Sequence, residues 1–139
     1  MQTRIATFLF SAALAATRFA GAADLTIVVD DVKSADGLVM VAVYNSADSF
    51  PAKPFSVANT PAVAGSTSIV VKDLPPGDYA FALYHDANDN GKLDRNAVGV
   101  PTEDYAFSNN AIGKHGTPDF EAARITLPAA GAVARVSLR

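Results

Sequence analysis

From Asp24 onward, apolar and polar positions alternate in short blocks bounded by Gly, Pro, Asn and Asp. That two-residue period belongs to half-buried strands. Leu25-Thr26-Ile27-Val28-Val29 is the first block. Asp36-Gly37 then reads as a hairpin signal leading into Leu38–Tyr44, because glycine accepts positive φ without a Cβ clash. Residues 68–71 form another strand, stopped by Leu74-Pro75-Pro76-Gly77. In the next strand, 79–85, alternation sets Tyr79, Phe81 and Leu83 on one face and Ala80, Ala82 and Tyr84 on the other. Ile125-Thr126-Leu127 and 132–138 complete the set, with Ala134, Val136 and Leu138 facing one way. Phe81 and Leu83 are expected to share a core with Leu25, Ile27, Val41 and Val136. Beyond the N-terminal segment no window carries a 3.6-residue stripe, and short helical turns are expected only near 46–50 and 120–123. The pattern predicts an all-β, antiparallel β-sandwich of six to eight strands, with seven as the central expectation.

Residues 1–23 follow a different rule. They contain no acid, carry Arg4 ahead of an apolar stretch at 5–16, and close on small residues, with Ala20-Gly21-Ala22 giving an A-x-A cleavage pattern. Ala23 is an equally good last residue, so the expected division is a signal peptide over 1–23 and one domain over 24–139, with the mature start at Ala23 or Asp24. A spanning helix needs ~20 consecutive apolar residues, and Thr17 and Arg18 interrupt this run too early. The absence of cysteine rules out lipid attachment at the end of the leader and any disulfide framework. Together these features predict a periplasmic or secreted bacterial protein with no membrane span after cleavage.

Charge narrows the partners. The leader carries two arginines, Arg4 and Arg18, so its removal takes the net charge from −3 to −5. An acidic chain lacks the surplus of Lys and Arg that sequence-independent binding to nucleic acid or to an anionic lipid surface requires. The 139 residues less the 23 of the leader leave 116, one domain's worth and enough to bury a core.

The strongest chemical signal is Asp86-Ala87-Asn88-Asp89-Asn90-Gly91-Lys92-Leu93-Asp94. It fits the first nine positions of a D-x-[DN]-x-[DN]-G calcium loop. Calcium takes six to eight hard oxygen ligands, and this spacing turns Asp86, Asn88 and Asn90 inward. Gly91 allows the sharp reversal, Lys92 offers its backbone carbonyl, Asp94 acts directly or through water, and Leu93 anchors the loop. The twelfth position, where a bidentate glutamate belongs, is Ala97; Glu103 and Asp104 are the nearest acids able to close the shell. The competing reading is a run of turns, since Asn, Asp and Gly bond their own backbone and tolerate positive φ without any metal.

Leu74-Pro75-Pro76-Gly77-Asp78-Tyr79-Ala80 resembles the turn-into-strand of transthyretin-like and carboxypeptidase-regulatory-like sandwiches. The run from His85 to Asp94, followed by Gly99-Val100-Pro101-Thr102-Glu103 and Phe107-Ser108-Asn109-Asn110, resembles the DUF2141 family of exported bacterial proteins over essentially the whole mature chain. Ala106 departs from that pattern, which usually has glycine there. The family has no assigned activity, so the resemblance implies an Ig-like or transthyretin-like sandwich and export, and does not point to a reaction. The hydroxyisourate-opening enzymes of the transthyretin fold end in Tyr-Arg-Gly-Ser, whereas this chain ends Arg135-Val136-Ser137-Leu138-Arg139.

Other chemistry is sparse. His85 and His115 lie thirty residues apart without cysteine, so zinc-ligand spacing is missing. No Gly-x-Ser-x-Gly elbow is present, and nothing in the sequence ties Ser108 to a histidine. The segment 99–120 is long for a connection and carries Tyr105, Phe107, Ile112 and Phe120. It reads either as a lid packed over one end of the sandwich or as a recognition surface of Tyr105 and Phe107 beside Asn109 and Asn110. The expected function is an exported, non-enzymatic binding or accessory module, steadied by calcium, with a protein, peptide or carbohydrate ligand. The alternative is a metal-dependent, hydrolase-like enzyme using His85, Asp86 and Glu103.

Overall fold

A computed structural model of the chain describes residues 21–139, so nearly all of the expected signal peptide lies outside the described residues. Eight strands are described: β1 Ala23–Val32, β2 Leu38–Tyr44, β3 Ser56–Pro61, β4 Gly65–Leu74, β5 Gly77–Asp86, β6 Tyr105–Phe107, β7 Ile125–Leu127 and β8 Ala132–Ser137. One four-residue helix, α1 Phe120–Ala123, precedes β7. The smaller sheet has the order β4-β1-β8 and the larger β3-β2-β5-β6, with β7 also pairing with β5. The result is an all-β, sandwich-like arrangement of two sheets on one core.

Alternation explains how the sheets meet. Leu25, Ile27 and Val29 of β1 are fully buried, while Thr26, Val28 and Asp30, which alternate with them, are only half-buried. On the larger sheet Val39, Val41 and Val43 do the same from β2, and Tyr79, Phe81 and Leu83 from β5. Ile69, Val71 and Val136 close the cluster, so the core expected from the alternation is the one observed. Each fully buried side chain of this size contributes ~1.5–3 kcal/mol.

The outer face of the larger sheet is also partly covered. Tyr44, Ala80, Phe120 and Ala123 form a second buried cluster, with Phe50 packed edge-on to Tyr44 at 5.1 Å and to Phe120 at 6.1 Å between ring centroids. The helical turn expected at 120–123 is α1. Near 46–50 the chain makes a single turn, with the Phe50 N–H donating to the Ser46 carbonyl at 3.2 Å.

Three expectations require correction. Asp36-Gly37 does not close a hairpin: β1 pairs with β4 and β8, β2 with β3 and β5, so this turn carries the chain between sheets. Gly37 does have φ +64°, and a Cβ there would lie 1.9 Å from the Asp86 carbonyl oxygen, so close backbone approach also requires glycine. The sandwich is not wholly antiparallel, since β8 runs parallel to β1 from Leu25↔Ala132 to Asp30↔Ser137. A parallel pair requires a crossover, and the chain reaches β8 only after passing through the larger sheet. Finally, the alternation did not reveal β3 or β6. The half-buried positions of β3 are Ser56, Ala58 and Thr60, too small and polar to register as a hydrophobic stripe.

Candidate functional site

The parity of β5 sorts its last residues. Tyr79, Phe81, Leu83 and His85 occupy alternate positions toward the core, so Tyr84 and Asp86 belong to the outer face. Asp86 ends the strand fully buried. Its Oδ1 accepts the Asn90 N–H at 3.1 Å and its Oδ2 the Gly91 N–H at 2.8 Å. The loop reverses through Asp89, φ +53°, and Gly91, φ +76°. Across the turn, Asn88 and Asn90 each donate an amide hydrogen to one oxygen of Asp94, at 2.5 and 2.7 Å. The Lys92 N–H donates to the Asn90 Oδ1 at 3.2 Å.

Glu103 closes the loop from outside it. Its Oε2 accepts the Ala87 N–H at 3.0 Å and its Oε1 the Asp94 N–H at 2.9 Å. A small return delivers it: the Thr102 N–H donates to the Asp94 carbonyl at 2.9 Å, Arg95 and Pro101 form a β-bridge, and the Asn96 N–H donates to the Val100 carbonyl at 2.9 Å. Asn96 Oδ1 holds the tip by accepting the N–H groups of Val98 and Val100, both at 3.0 Å, and Gly99 turns it at φ +84°. Ala97 therefore lies in the tip of this return, and Glu103 comes back to the loop in its place. Asp104, the other nearby acid, is instead ion-paired with Lys33 at 2.8 Å.

Electrostatics reflect the gathering of acids. Tyr84 has its phenol pushed above the ordinary tyrosine value, first by burial and then by the charges of Asp86, Glu103 and Asp94. Asp94 is held below the usual carboxylate range, chiefly by the hydrogen bonds from Asn90 and Asn88. Among the described residues, no three His, Cys, Asp or Glu side chains are arranged to hold a metal ion. The acids are turned to hydrogen-bond donors, and two of the five converging side chains are amides. Half a turn about the last side-chain bond of Asn88 or Asn90 would exchange nitrogen for oxygen and present an acceptor. The side chains gathered at the loop are oxygen-bearing: the carboxylates of Asp86, Asp94 and Glu103 and the amides of Asn88 and Asn90.

A family model described as "Uncharacterized protein conserved in bacteria (DUF2141)" matches residues 27–134. The chain belongs to the DUF2141 family. The match runs from within β1 to within β8, so the loop and Glu103 both lie inside the DUF2141 unit. No curated protein and no solved structure matches the chain.

His85, Ser108, Asn109 and Asn110 make hydrogen bonds within the fold. His85 is buried, with Nε2 2.6 Å from the Asp36 carbonyl oxygen, and its parity sets it opposite Asp86. Asn109 donates to the carbonyls of Ala122 and Arg124, and Asn110 accepts the Ser137 N–H at 2.9 Å. Ser108 is fully buried: its Oγ accepts the Phe81 N–H at 3.0 Å and donates to the Ala123 carbonyl. Its role follows from the pairing of β5, which meets β7 at residues 77–79 and β6 at 82–84. Ser108 serves the backbone in the gap between those two partners, a position the linear sequence does not mark.

Proposed function

We propose that this protein is an exported, non-enzymatic binding or accessory module whose loop 86–94 is steadied by calcium. The signal peptide over 1–23 and an Ig-like or transthyretin-like assignment of the sandwich are part of the same reading. The observation that carries it is the grip of Glu103 on the N–H groups of Ala87 and Asp94, the second and ninth positions of the loop. A loop that only has to turn needs no carboxylate from nine residues further on. The charges of Asp86, Asp94 and Glu103 all act on one phenol, a concentration of negative charge that attracts a cation. A divalent ion would do so, held by Asp86, Asn88, Asn90, Asp94 and Glu103 with the Lys92 carbonyl.

Weighing against the hydrolase alternative, His85 is spent on the Asp36 carbonyl and lies across β5 from Asp86. Calorimetric titration of the mature protein tests the calcium reading. One site per chain is expected, with Kd ~10⁻⁴–10⁻³ M because two of the first three ligands are neutral. Glu103→Gln should weaken it and Asp86→Ala abolish it. A folded wild-type protein giving no binding heat would overturn the proposal.

A further inference from the structure

Beside the loop, the outer face of the larger sheet carries a groove of about 440 Å³. Its floor is a pair of small side chains, Ala42 and Ala82, directly opposite each other on β2 and β5. On the same face, Met40 stands opposite Tyr84, and Tyr84 opposite Tyr105 of β6, raising one end wall. Phe107, opposite Ala82, forms a side wall and is held edge-on by Tyr105 at 6.0 Å and Phe50 at 6.1 Å. The hollow thus exists because two alanines sit among larger residues, and those larger residues are half-buried.

The rim supplies the charge. Arg95 is the one charged side chain among the described residues that line the groove, and it makes no ion pair among the described residues. Its backbone is fixed by the bridge to Pro101, and one guanidinium nitrogen donates to the Gly99 carbonyl at 3.0 Å. The other guanidinium donors suit an anion. The volume lies in the range of small-molecule sites, which pair apolar walls with a few placed polar groups.

We infer that this groove binds a small amphiphile with an apolar body and a single anionic head, the body over Ala42 and Ala82 and the head on Arg95. This deepens the reading of the chain as a binding module and rests on it. Because Asp86, Asp94 and Glu103 act on Tyr84 of the end wall, decanoate should bind somewhat more tightly in calcium than in EGTA, while binding itself does not require calcium. Decanoate is the probe, with decanol as its uncharged match, titrated below micelle formation by calorimetry and by tyrosine fluorescence. The chain has no tryptophan, and three of its four tyrosines, Tyr44, Tyr84 and Tyr105, border the groove, so the fluorescence reports chiefly on it.

Saturable one-to-one binding of decanoate is expected. Ala82→Leu should fill the floor and weaken it by at least about tenfold; Ala42→Leu fills the same floor if the first variant does not fold. Arg95→Gln should weaken decanoate about fivefold while leaving decanol unchanged, as suits a solvent-exposed ion pair. The inference is overturned by absent binding, by equal binding to a folded floor-filling variant, or by an Arg95→Gln effect that is nil or the same for both probes. Running each titration in calcium and in EGTA separates this result from the fate of the calcium site, which has its own calorimetric signal.

Discussion

Ser108→Ala isolates one hydroxyl that substitutes for a missing length of strand. In the wild type this hydroxyl satisfies the Phe81 N–H and the Ala123 carbonyl, and Ser108, Phe81 and Ala123 are all 0% exposed. Removing it orphans one donor and one acceptor where water has no access. Each buried unsatisfied group costs ~1–3 kcal/mol, and relief from burying the hydroxyl itself returns part of that. The expected net loss is ~2–4 kcal/mol, a large share of the ~5–15 kcal/mol that holds a domain together. For a domain of this size the unfolding midpoint should fall by roughly 8–16 °C. The assay is calorimetric or optical thermal unfolding, with Ser66→Ala as the control. Ser66 also donates a hydrogen bond, to Asp30 at 3.1 Å, but at an exposed site, where substitution should change stability by less than ~0.5 kcal/mol. Hydrogen exchange at the Phe81 amide should accelerate in Ser108→Ala. Equal midpoints for the two variants would refute the reasoning.

Two further outcomes follow from the geometry around the loop and the N-terminus. Gly37→Ala should destabilise the protein by more than ~1 kcal/mol in urea unfolding, through its positive φ and its contact with the Asp86 carbonyl, and should weaken calcium binding as well; a neutral result would mean that the turn relaxes freely. Mature protein recovered from the envelope fraction of a producing bacterium should begin at Ala23 or Asp24 by mass, and a product retaining residues 1–22 would contradict export with cleavage.

What the sequence made legible was set by range. Which residues of β1, β2, β4 and β5 face the core follows from local alternation, and Phe81, Leu83, Leu25, Ile27, Val41 and Val136 do cluster. Partnership does not follow from it. Alternation says which face a strand buries but not beside which strand it lies, so Asp36-Gly37 looked like a hairpin and the parallel seating of β8 against β1 was invisible. The turn over 86–94 is legible because its Asp, Asn and Gly residues are close in sequence. The sequence offers Glu103 only as one of two nearby acids; which of them meets the loop is decided by the return through Asn96 and Gly99, which brings Glu103 back to it. The groove had no sequence signal at all, since Ala42 and Ala82 become neighbours only when β2 pairs with β5.

Thermal unfolding of the mature protein in EGTA, and then in millimolar calcium or magnesium, tests the central claim most directly. At a calcium concentration ten times Kd, mass action adds ~1.4 kcal/mol of stability. For a domain of this size the midpoint should rise by roughly 4–6 °C. Magnesium should do much less, because it demands a tighter octahedral shell, and Asp86→Ala should erase the calcium response. Coincident curves in EGTA and calcium, from a protein that is folded in both, would contradict the account and leave loop 86–94 as a turn held by its own hydrogen bonds.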